Sequence, residues 1–297
     1  MLALLDPLVP AITFLLLTVV GLGLTRSDFS RLRQEPGVVA AGLLGPLVLL
    51  PPLALGLTWL FRAPEEITAG VLLIASCPIG GISNTWSYLA RASTALSVTL
   101  TGLSCLFAGA TMPLLGRTFE LATGRPLDLD APVGLLFARL LLMLALPVLL
   151  GMWLRGRWPA FGERHRPALQ RAAFAGVGVL LLIPFIDDPD AFVAGLSTTV
   201  PLAAAFVVGS MGVGLATAAF VTRDVRNRFT LSTEFGTRNV AVATYIAVTV
   251  LGRVEFARFA ATYFLTEVPL MLAAVALFRR RHAGVDVRPE RSPSVSA

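Results

Sequence analysis

Runs of about twenty predominantly apolar residues follow one another along the chain, each long enough for an α-helix to cross the hydrocarbon core of a bilayer. They predict about nine spans, at residues 7–25, 36–61, 66–91, 94–116, 131–154, 168–187, 192–221, 229–250 and 255–279. The opening MLALLDPLVPAITFLLLTVVGLGLT has neither a basic lead-in nor a small-residue cleavage site. It reads as the first span and not as a cleavable signal peptide. The expected fold class is an all-α polytopic membrane protein.

Two spans break the apolar pattern. The third, 66–91, contains CPIGGISN, and the eighth, 229–250, contains STEFGTRN, which sets Glu234, Arg238 and Asn239 at membrane depth. Proline and glycine interrupt the helical hydrogen-bond ladder, and lipid offers no partner for the released groups. Such breaks must be buried in protein or line a cavity. Each broken span is the third of a group of four, spans one to four and spans six to nine, and the two run in opposite directions. This is the pattern of an inverted repeat with a binding site where two discontinuous helices cross. The first repeat is expected over 1–116, lacking its first span, and the second over 131–279, with span five left without a counterpart. Residues 280–297 read as a disordered cytoplasmic tail.

Composition sharpens this picture. Of 297 residues, 56% are hydrophobic and only 14% charged, and the mean hydropathy is +0.78, far from the balance of a water-soluble domain. The net charge of +6 comes from arginine alone, because the chain has no lysine. The arginines lie in short stretches between spans, which points to membrane topology and away from nucleic acid. TRSDFSRLRQEPG, LARAST, RGRWPAFGERHRPALQR, TRDVRNR and RRRH are assigned to the cytoplasm, and FRAPEE, DDPD and LGRVEFAR to the outside. The N-terminus is then expected outside and the C-terminus inside, in a cell (inner) membrane. Cys77 and Cys105 lie in apolar spans and suggest no disulfide framework. An enzymatic reading finds no support. The two histidines, His165 and His282, sit in basic segments, and there is no HExxH, phosphate loop or Ser–His pair within a span.

The residues around both breaks resemble those of the bile acid:sodium symporter family. CPIGGISNTWSYLARASTALSVTLT, residues 77–101, is similar to that family's CPGG-x-x-SN signature and the helix after it. STEFGTRNVAVA, residues 232–243, resembles its second crossover, E-x-G-x-Q-N, and GLGLTRSDFSRLRQEP, residues 21–36, its early cytoplasmic turn. The similarity runs over nearly the whole chain, in a nine-span form that lacks the first span. It implies a core domain and a panel domain, with the two broken helices crossing in the core and sodium sites behind the crossing. It places the first sodium site on Ser83, Asn84, Ser97, Thr101 and Glu234, so that one sodium ion is expected. The spacing agrees. Ser97 and Thr101 share one face of a helix, Ser83 and Asn84 sit at the broken end of a half-helix, and all offer hard oxygen ligands. Taken singly, each also has an ordinary reading: Ser83 and Asn84 as helix caps, Ser97 and Thr101 as bonds back to their own helix.

The chain departs from the family at the second sodium site. Arg238 stands where the crossover motif has glutamine, and a second glutamine position aligns with Pro46 in GLLGPLVLLPP. Neither supplies an amide oxygen, and Arg238 brings a permanent positive charge. Its guanidinium is expected to replace the second sodium. One carboxylate, one guanidinium and one sodium leave a net charge of +1, which favours an organic anion. An arginine at mid-membrane costs at least about 2.5 kcal/mol on insertion scales, so it needs a partner. Glu234, four residues away, and Glu267 in ATYFLTEVPLML are the candidates. The competing reading has Arg238 snorkelling to the cytoplasmic side. If Glu267 is ionised in the site, the net charge falls to zero and a proton enters the cycle.

Asn239 either faces the substrate cavity or packs between helices. Thr85, Thr237 and Thr266 are candidate cavity hydroxyls beside Glu267. Tyr88 and the tryptophans fit interfacial belts, and DDPD fits a plain turn. The expected function is sodium-coupled symport of a small organic anion by alternating access. A proton-coupled or uncoupled carrier, a metalloid oxyanion exporter using Cys77 and a non-transporting membrane sensor remain open. The partners expected are the substrate anion and the lipid bilayer, with no nucleic acid and with the oligomeric state undetermined.

Overall fold

The computed structural model of the chain describes residues 2–24, 34–107, 109, 111–124, 126, 127 and 133–282. Residues 25–33 of the turn expected at 21–36, and residues 283–297 of the tail expected at 280–297, lie outside the described residues. The helices in chain order are α1 (Leu2–Gly23), α2 (Pro36–Leu60), α3 (Glu65–Ser76), α4 (Ser83–Ala90), α5 (Thr94–Leu106), α6 (Thr111–Thr123), α7 (Val133–Arg157), α8 (Pro159–Asp187), α9 (Pro189–Val221), α10 (Val225–Gly236), α11 (Val240–Tyr245) and α12 (Ala257–Arg281). A π-turn, Ile246–Val250, extends α11, and a 3₁₀ turn, Val254–Phe256, leads into α12. The sole extended pairing among the described residues is an isolated antiparallel bridge between Ile79 and Arg238.

Helices α2, α7, α8, α9 and α12 are long and apolar enough to cross a membrane, with shorter apolar segments in α1, α5 and α11. The chain is an all-α polytopic membrane protein. Its long helices carry Leu44, Val48, Trp59, Leu142, Leu182, Val208 and Phe220 exposed, the surface that hydrocarbon covers. Three of the four half-helices at the two breaks are largely sequestered instead. Every described residue of α3 from Thr68 to Ser76, of α10 from Phe229 to Gly236 and of α11 is buried.

Packing divides the helices into two groups. Helices α1, α7 and α8 pack on one another. Gly21 and Gly151 let α1 and α7 approach backbone to backbone, the usual device where no hydrophobic force drives helices together in lipid. In the other group α9 packs on α2, α10 and α12, α3 on α2, α6 and α12, and α4 on α5 and α12. At one end Arg258 of α12 reaches Glu66 of α3 at 3.6 Å and Asp188 of the α8–α9 turn at 3.5 Å. Asp188 also caps α9 by accepting from the Ala191 amide, so DDPD is a turn and a cap.

Two element boundaries differ from the sequence reading. The span at 94–116 is not continuous: α5 stops at Leu106 and α6 starts at Thr111. Pro113 lies in the first turn of α6, where a residue without an N–H is tolerated; within one longer helix it would break the ladder. The span at 168–187 starts earlier, at Pro159, because the exposed basic residues that exclude this stretch from hydrocarbon do not oppose helix formation.

Candidate functional site

The site begins with the two helix breaks. Pro78 has no N–H and forces the residue before it out of the helical region, so Cys77 is extended with φ −70° and ψ 156° and α3 ends. Thr237, after Gly236, is likewise extended. The two interrupted segments then satisfy each other. Gly80 N–H donates to the Thr237 carbonyl at 3.1 Å, and Asn239 N–H donates to the Pro78 carbonyl at 2.9 Å. Side chains take the remaining groups: Ile79 N–H donates to Ser104 Oγ, Arg238 N–H donates to the Tyr263 hydroxyl, and that hydroxyl donates to the Gly236 carbonyl. The segments cross so closely that a Cβ on Gly80 would lie 2.7 Å from the Arg238 carbonyl oxygen, which is why glycine stands there.

Beside the crossing, Ser83, Asn84, Ser97, Thr101 and Glu234 come together from α4, α5 and α10. Ser83 Oγ lies 3.1 Å from Thr101 Oγ1, 3.5 Å from Ser97 Oγ and 3.1 Å from Glu234 Oε2. Thr101 Oγ1 lies 3.4 Å from both Glu234 Oε2 and Asn84 Oδ1. Ser97 Oγ lies 2.9 Å from Asn84 Oδ1 and also bonds Glu234 Oε1. Ser83, Ser97, Thr101 and Glu234 are 0% exposed. The three hydroxyls carry one hydrogen each, whereas the amide oxygen and both carboxylate oxygens only accept unless a proton is added. Ser97, with its single hydrogen, faces two acceptors at once. The cluster is therefore rich in oxygen and poor in hydrogen, with one formal negative charge when Glu234 is ionised, a set of donors that could hold a small hard cation.

Arg238 is 2% exposed, which excludes snorkelling to the surface. Neither expected carboxylate is its partner: no ion pair joins it to Glu234 or Glu267 among the described residues. Its Nη2 donates to the Cys77 carbonyl at the end of α3, and Nε and Nη1 have no partner among the described residues. It lines a small cavity with Pro46, Ser76, Pro78, Ser104 and Thr111. Arg238 and Pro46, the two positions where the family resemblance leads one to expect glutamine, thus face one space.

Glu267 is held separately, 0% exposed. Trp86 Nε1–H donates to its Oε1 at 3.3 Å, Thr237 lies beside it, and Oε2 has no partner among the described residues. Trp86 is consequently buried and not part of an interfacial belt, whereas Tyr88, two residues on, is exposed. Asn239 caps α11 by accepting from the Val242 amide at 3.1 Å, and its Nδ2 has no partner among the described residues. Thr266 donates back to the Thr262 carbonyl of its own helix, and Thr85 is half-buried on α4. Cys77 and Cys105 are free thiols buried in the interior.

A second cavity adjoins the oxygen cluster. Gly81, Asn84 and Val98 form one wall, α1 contributes Val20 and Gly23, and α8 contributes Arg166, Gln170 and Phe174. Sequence reasoning missed Trp86, Tyr263, Arg166 and Gln170. The one usable signal was spacing: Tyr263 and Glu267 are four residues apart on one helix, as are Arg166 and Gln170.

Residues 10–194 match the model of the Sodium Bile acid symporter family. The chain is 35% identical to an uncharacterized sodium-dependent transporter, YocS, of Bacillus subtilis, over 47% of this chain and 42% of the relative. It is 32% identical to a probable chloroplastic sodium/metabolite cotransporter, BASS2, of Oryza sativa, over 51% of this chain and 35% of the relative. It is 28% identical to the corresponding BASS1 protein of Arabidopsis thaliana, over 78% and 57%. The chain thus spans from about a third to somewhat over half the length of these curated relatives.

Proposed function

From the premise that this chain belongs to the Sodium Bile acid symporter family, we propose that it is a secondary active carrier of a small organic anion. The carrier is driven by one sodium ion, with the guanidinium of Arg238 in the place of a second. The observation that carries this reading is the buried oxygen cluster of Ser83, Asn84, Ser97, Thr101 and Glu234. Sodium bound there would neutralise Glu234 and replace hydroxyl contacts that lack hydrogens. With Arg238 ionised, the crossing then holds a net charge of +1, suited to an organic monoanion.

The grouping of helices supports a reading of alternating access. Helices α1 and α8 of the first group line one side of the cavity beside the oxygen cluster, and Gly81, Asn84 and Val98 line the other. Movement of one group past the other exposes the cavity to each side in turn. An inverted repeat over 1–116 and 131–279 accords with the packing of α1 on α8 and of α2 on α9, the pairs that occupy equivalent places in the two halves. The basic stretches set the N-terminus outside and the C-terminus in the cytoplasm of the cell (inner) membrane.

The test is thermal stability of the purified protein against sodium, with potassium as ionic-strength control, for wild type, Glu234→Gln and Arg238→Gln. A ligand of the folded state raises stability by mass action. Sodium is expected to stabilise wild type with one-site behaviour, to lose its effect in Glu234→Gln, and to act with altered stoichiometry in Arg238→Gln. Equal responses to sodium and potassium in wild type overturn the sodium reading; an unchanged response in Arg238→Gln overturns the tethered cation. A second reading, coupling through a proton, is favoured by the buried, half-partnered carboxylate of Glu267. It requires that sodium act no better than potassium and that Glu267→Gln abolish the pH dependence of transport.

A further inference from the structure

The C-terminal end of α7 carries two arginines, Arg155 and Arg157, and no ion pair joins either to a carboxylate among the described residues. Both border a cavity of about 770 Å³ between the end of α1, the last turns of α7 and the first turns of α8. None of its lining residues belongs to the helices of the crossing. Arg155 Nη1 donates to the Leu22 carbonyl at 2.7 Å, which holds that guanidinium against α1. Arg157 is exposed, and its Cζ stands 5.7 Å from the centroid of the Trp158 ring. Stacking on a ring face leaves the N–H donors at the edge of the guanidinium unused. Trp158 in turn meets Trp153 edge to face, with centroids 5.3 Å apart, and both indoles are half exposed.

The face of α7 that leads to this end is ordered along its length. Leu142, Leu146 and Leu149 are exposed on the turns before Trp153, and at helical spacing they fall with Trp153 and Arg157 on one stripe. From Leu142 to Trp153 the helix rises about 16 Å, half of a hydrocarbon core about 30 Å thick. Aliphatic, aromatic and cationic side chains thus follow in the order of acyl chain, interface and phosphate in one leaflet. We propose that the ends of α7 and α8 hold an anionic phospholipid, a phosphatidylglycerol, with its phosphate on Arg157 and Arg155 and an acyl chain along the Leu142–Trp153 stripe. Guanidinium donors match phosphate oxygens in pairs. Glu163, an exposed carboxylate, also lines the cavity and accepts from the hydroxyls of the glycerol headgroup. Two guanidiniums and one carboxylate leave one positive charge, which a monoanionic lipid balances and a zwitterionic lipid does not. The site lies wholly on the group of α1, α7 and α8, so it stands apart from the sodium-coupled carrier reading. Under that reading, a lipid held here keeps this group at the bilayer surface while the crossing moves past it.

The full chain, purified in a neutral detergent and depleted of lipid, is titrated in mixed micelles with phosphatidylglycerol or phosphatidylcholine, and separately with glycerol 3-phosphate, at one ionic strength. Melting temperature is one readout. Tryptophan fluorescence is the other, with lipids brominated on the acyl chain, which quench indoles that the chain touches. Phosphatidylglycerol is expected to stabilise and to quench at a lower mole fraction than phosphatidylcholine, and glycerol 3-phosphate to do neither. Arg157→Gln is expected to raise the half-saturating phosphatidylglycerol fraction about fivefold, the weight of one arginine at an anionic surface. Arg280→Gln, exposed at the end of α12 in the other helix group, should leave it unchanged. Should Arg157→Gln not fold, the double variant Trp153→Phe, Trp158→Phe keeps both arginines and should lose the quenching specific to phosphatidylglycerol, because Trp59 and Trp86 lie on other helices.

Equal responses to the two lipids overturn the site, as does a phosphatidylglycerol response unchanged in Arg157→Gln. A loss in Arg280→Gln as large as in Arg157→Gln means diffuse attraction to a basic rim and overturns it too. Stabilisation by glycerol 3-phosphate to the same extent gives the cavity to a free phosphate and removes the lipid. A protein that answers phosphatidylglycerol through Arg157 yet is indifferent to sodium keeps the lipid site and loses the sodium coupling; the reverse result leaves the carrier reading standing without it.

Discussion

Replacing Gly80 with alanine tests whether the two breaks depend on each other. The added Cβ would stand 2.7 Å from the Arg238 carbonyl oxygen, whereas ordinary contact begins at 3.4 Å. Relief requires the crossing segments to part by about 0.7 Å. The bonds from Gly80 N–H to Thr237 and from Asn239 N–H to Pro78, now 3.1 and 2.9 Å, would then stretch to about 3.8 and 3.6 Å, past hydrogen-bonding range. Each is buried at membrane depth with no water to replace it, so each loss costs about 1–3 kcal/mol. Part of this is regained by relaxation, which leaves an expected destabilisation of about 3 kcal/mol. Gly56 of α2 is the control, because a Cβ there meets nothing within 4 Å. Gly56→Ala is expected to be neutral or to stabilise by up to about 1 kcal/mol. The assay is thermal unfolding of both variants in one detergent at one sodium concentration, followed by sodium titration. Gly80→Ala should melt well below Gly56→Ala and bind sodium more weakly, because the crossing sets the distance between Ser83 and Glu234. If the two variants melt together, the paired breaks are not mutually stabilising and the reasoning fails.

Two further outcomes follow from the buried carboxylates. Ser97→Ala removes the hydroxyl between Asn84 and Glu234 and should weaken sodium by about tenfold, read from the sodium dependence of melting, while an unchanged dependence places the cation elsewhere. Trp86→Phe removes the indole N–H from Glu267 and should cost about 1–3 kcal/mol, whereas in a Glu267→Leu background the same change should cost close to nothing; equal costs in both backgrounds would rule out a direct bond.

The legible parts of this molecule are those that leave a mark on residue type. CPIGG and EFGTRN announce breaks because proline and glycine are poor helix formers, and both fall at real breaks in α3–α4 and α10–α11. The family resemblance brings Ser97 and Thr101 together and their spacing agrees with it, and they do meet the same carboxylate. The partner of Arg238 was illegible because it is a backbone carbonyl, and any residue at position 77 offers one. Trp86 was misread because its neighbours suggest an interface. Helix α4 is only eight residues long, so a position near its start lies deep in the protein. Arg166 was hidden by a correct rule: arginines mark the cytoplasmic side of a membrane protein, and the rule says nothing about which way a side chain at that boundary turns.

Under the proposed function, the choice of partner for Arg238 would let an arginine and a sodium site coexist at one crossing. Had Arg238 paired directly with Glu234, the two charges would cancel, and the oxygen cluster would have little reason to attract a cation. Instead the guanidinium reaches the Cys77 carbonyl, just beyond the C-terminal end of α3. The C-terminal end of a helix carries partial negative charge on carbonyls that have lost their donors. Helix α10 also ends at the crossing, two residues before Arg238. The arginine is thus balanced by helix ends and a carbonyl, which lowers the cost of holding it at mid-membrane and leaves the carboxylate of Glu234 to the hydroxyl cluster. In Arg238→Gln those helix ends lose their counter-charge while the oxygen cluster stays intact. A mobile cation is then drawn to the vacated position, so the variant should gain a cation without losing the first.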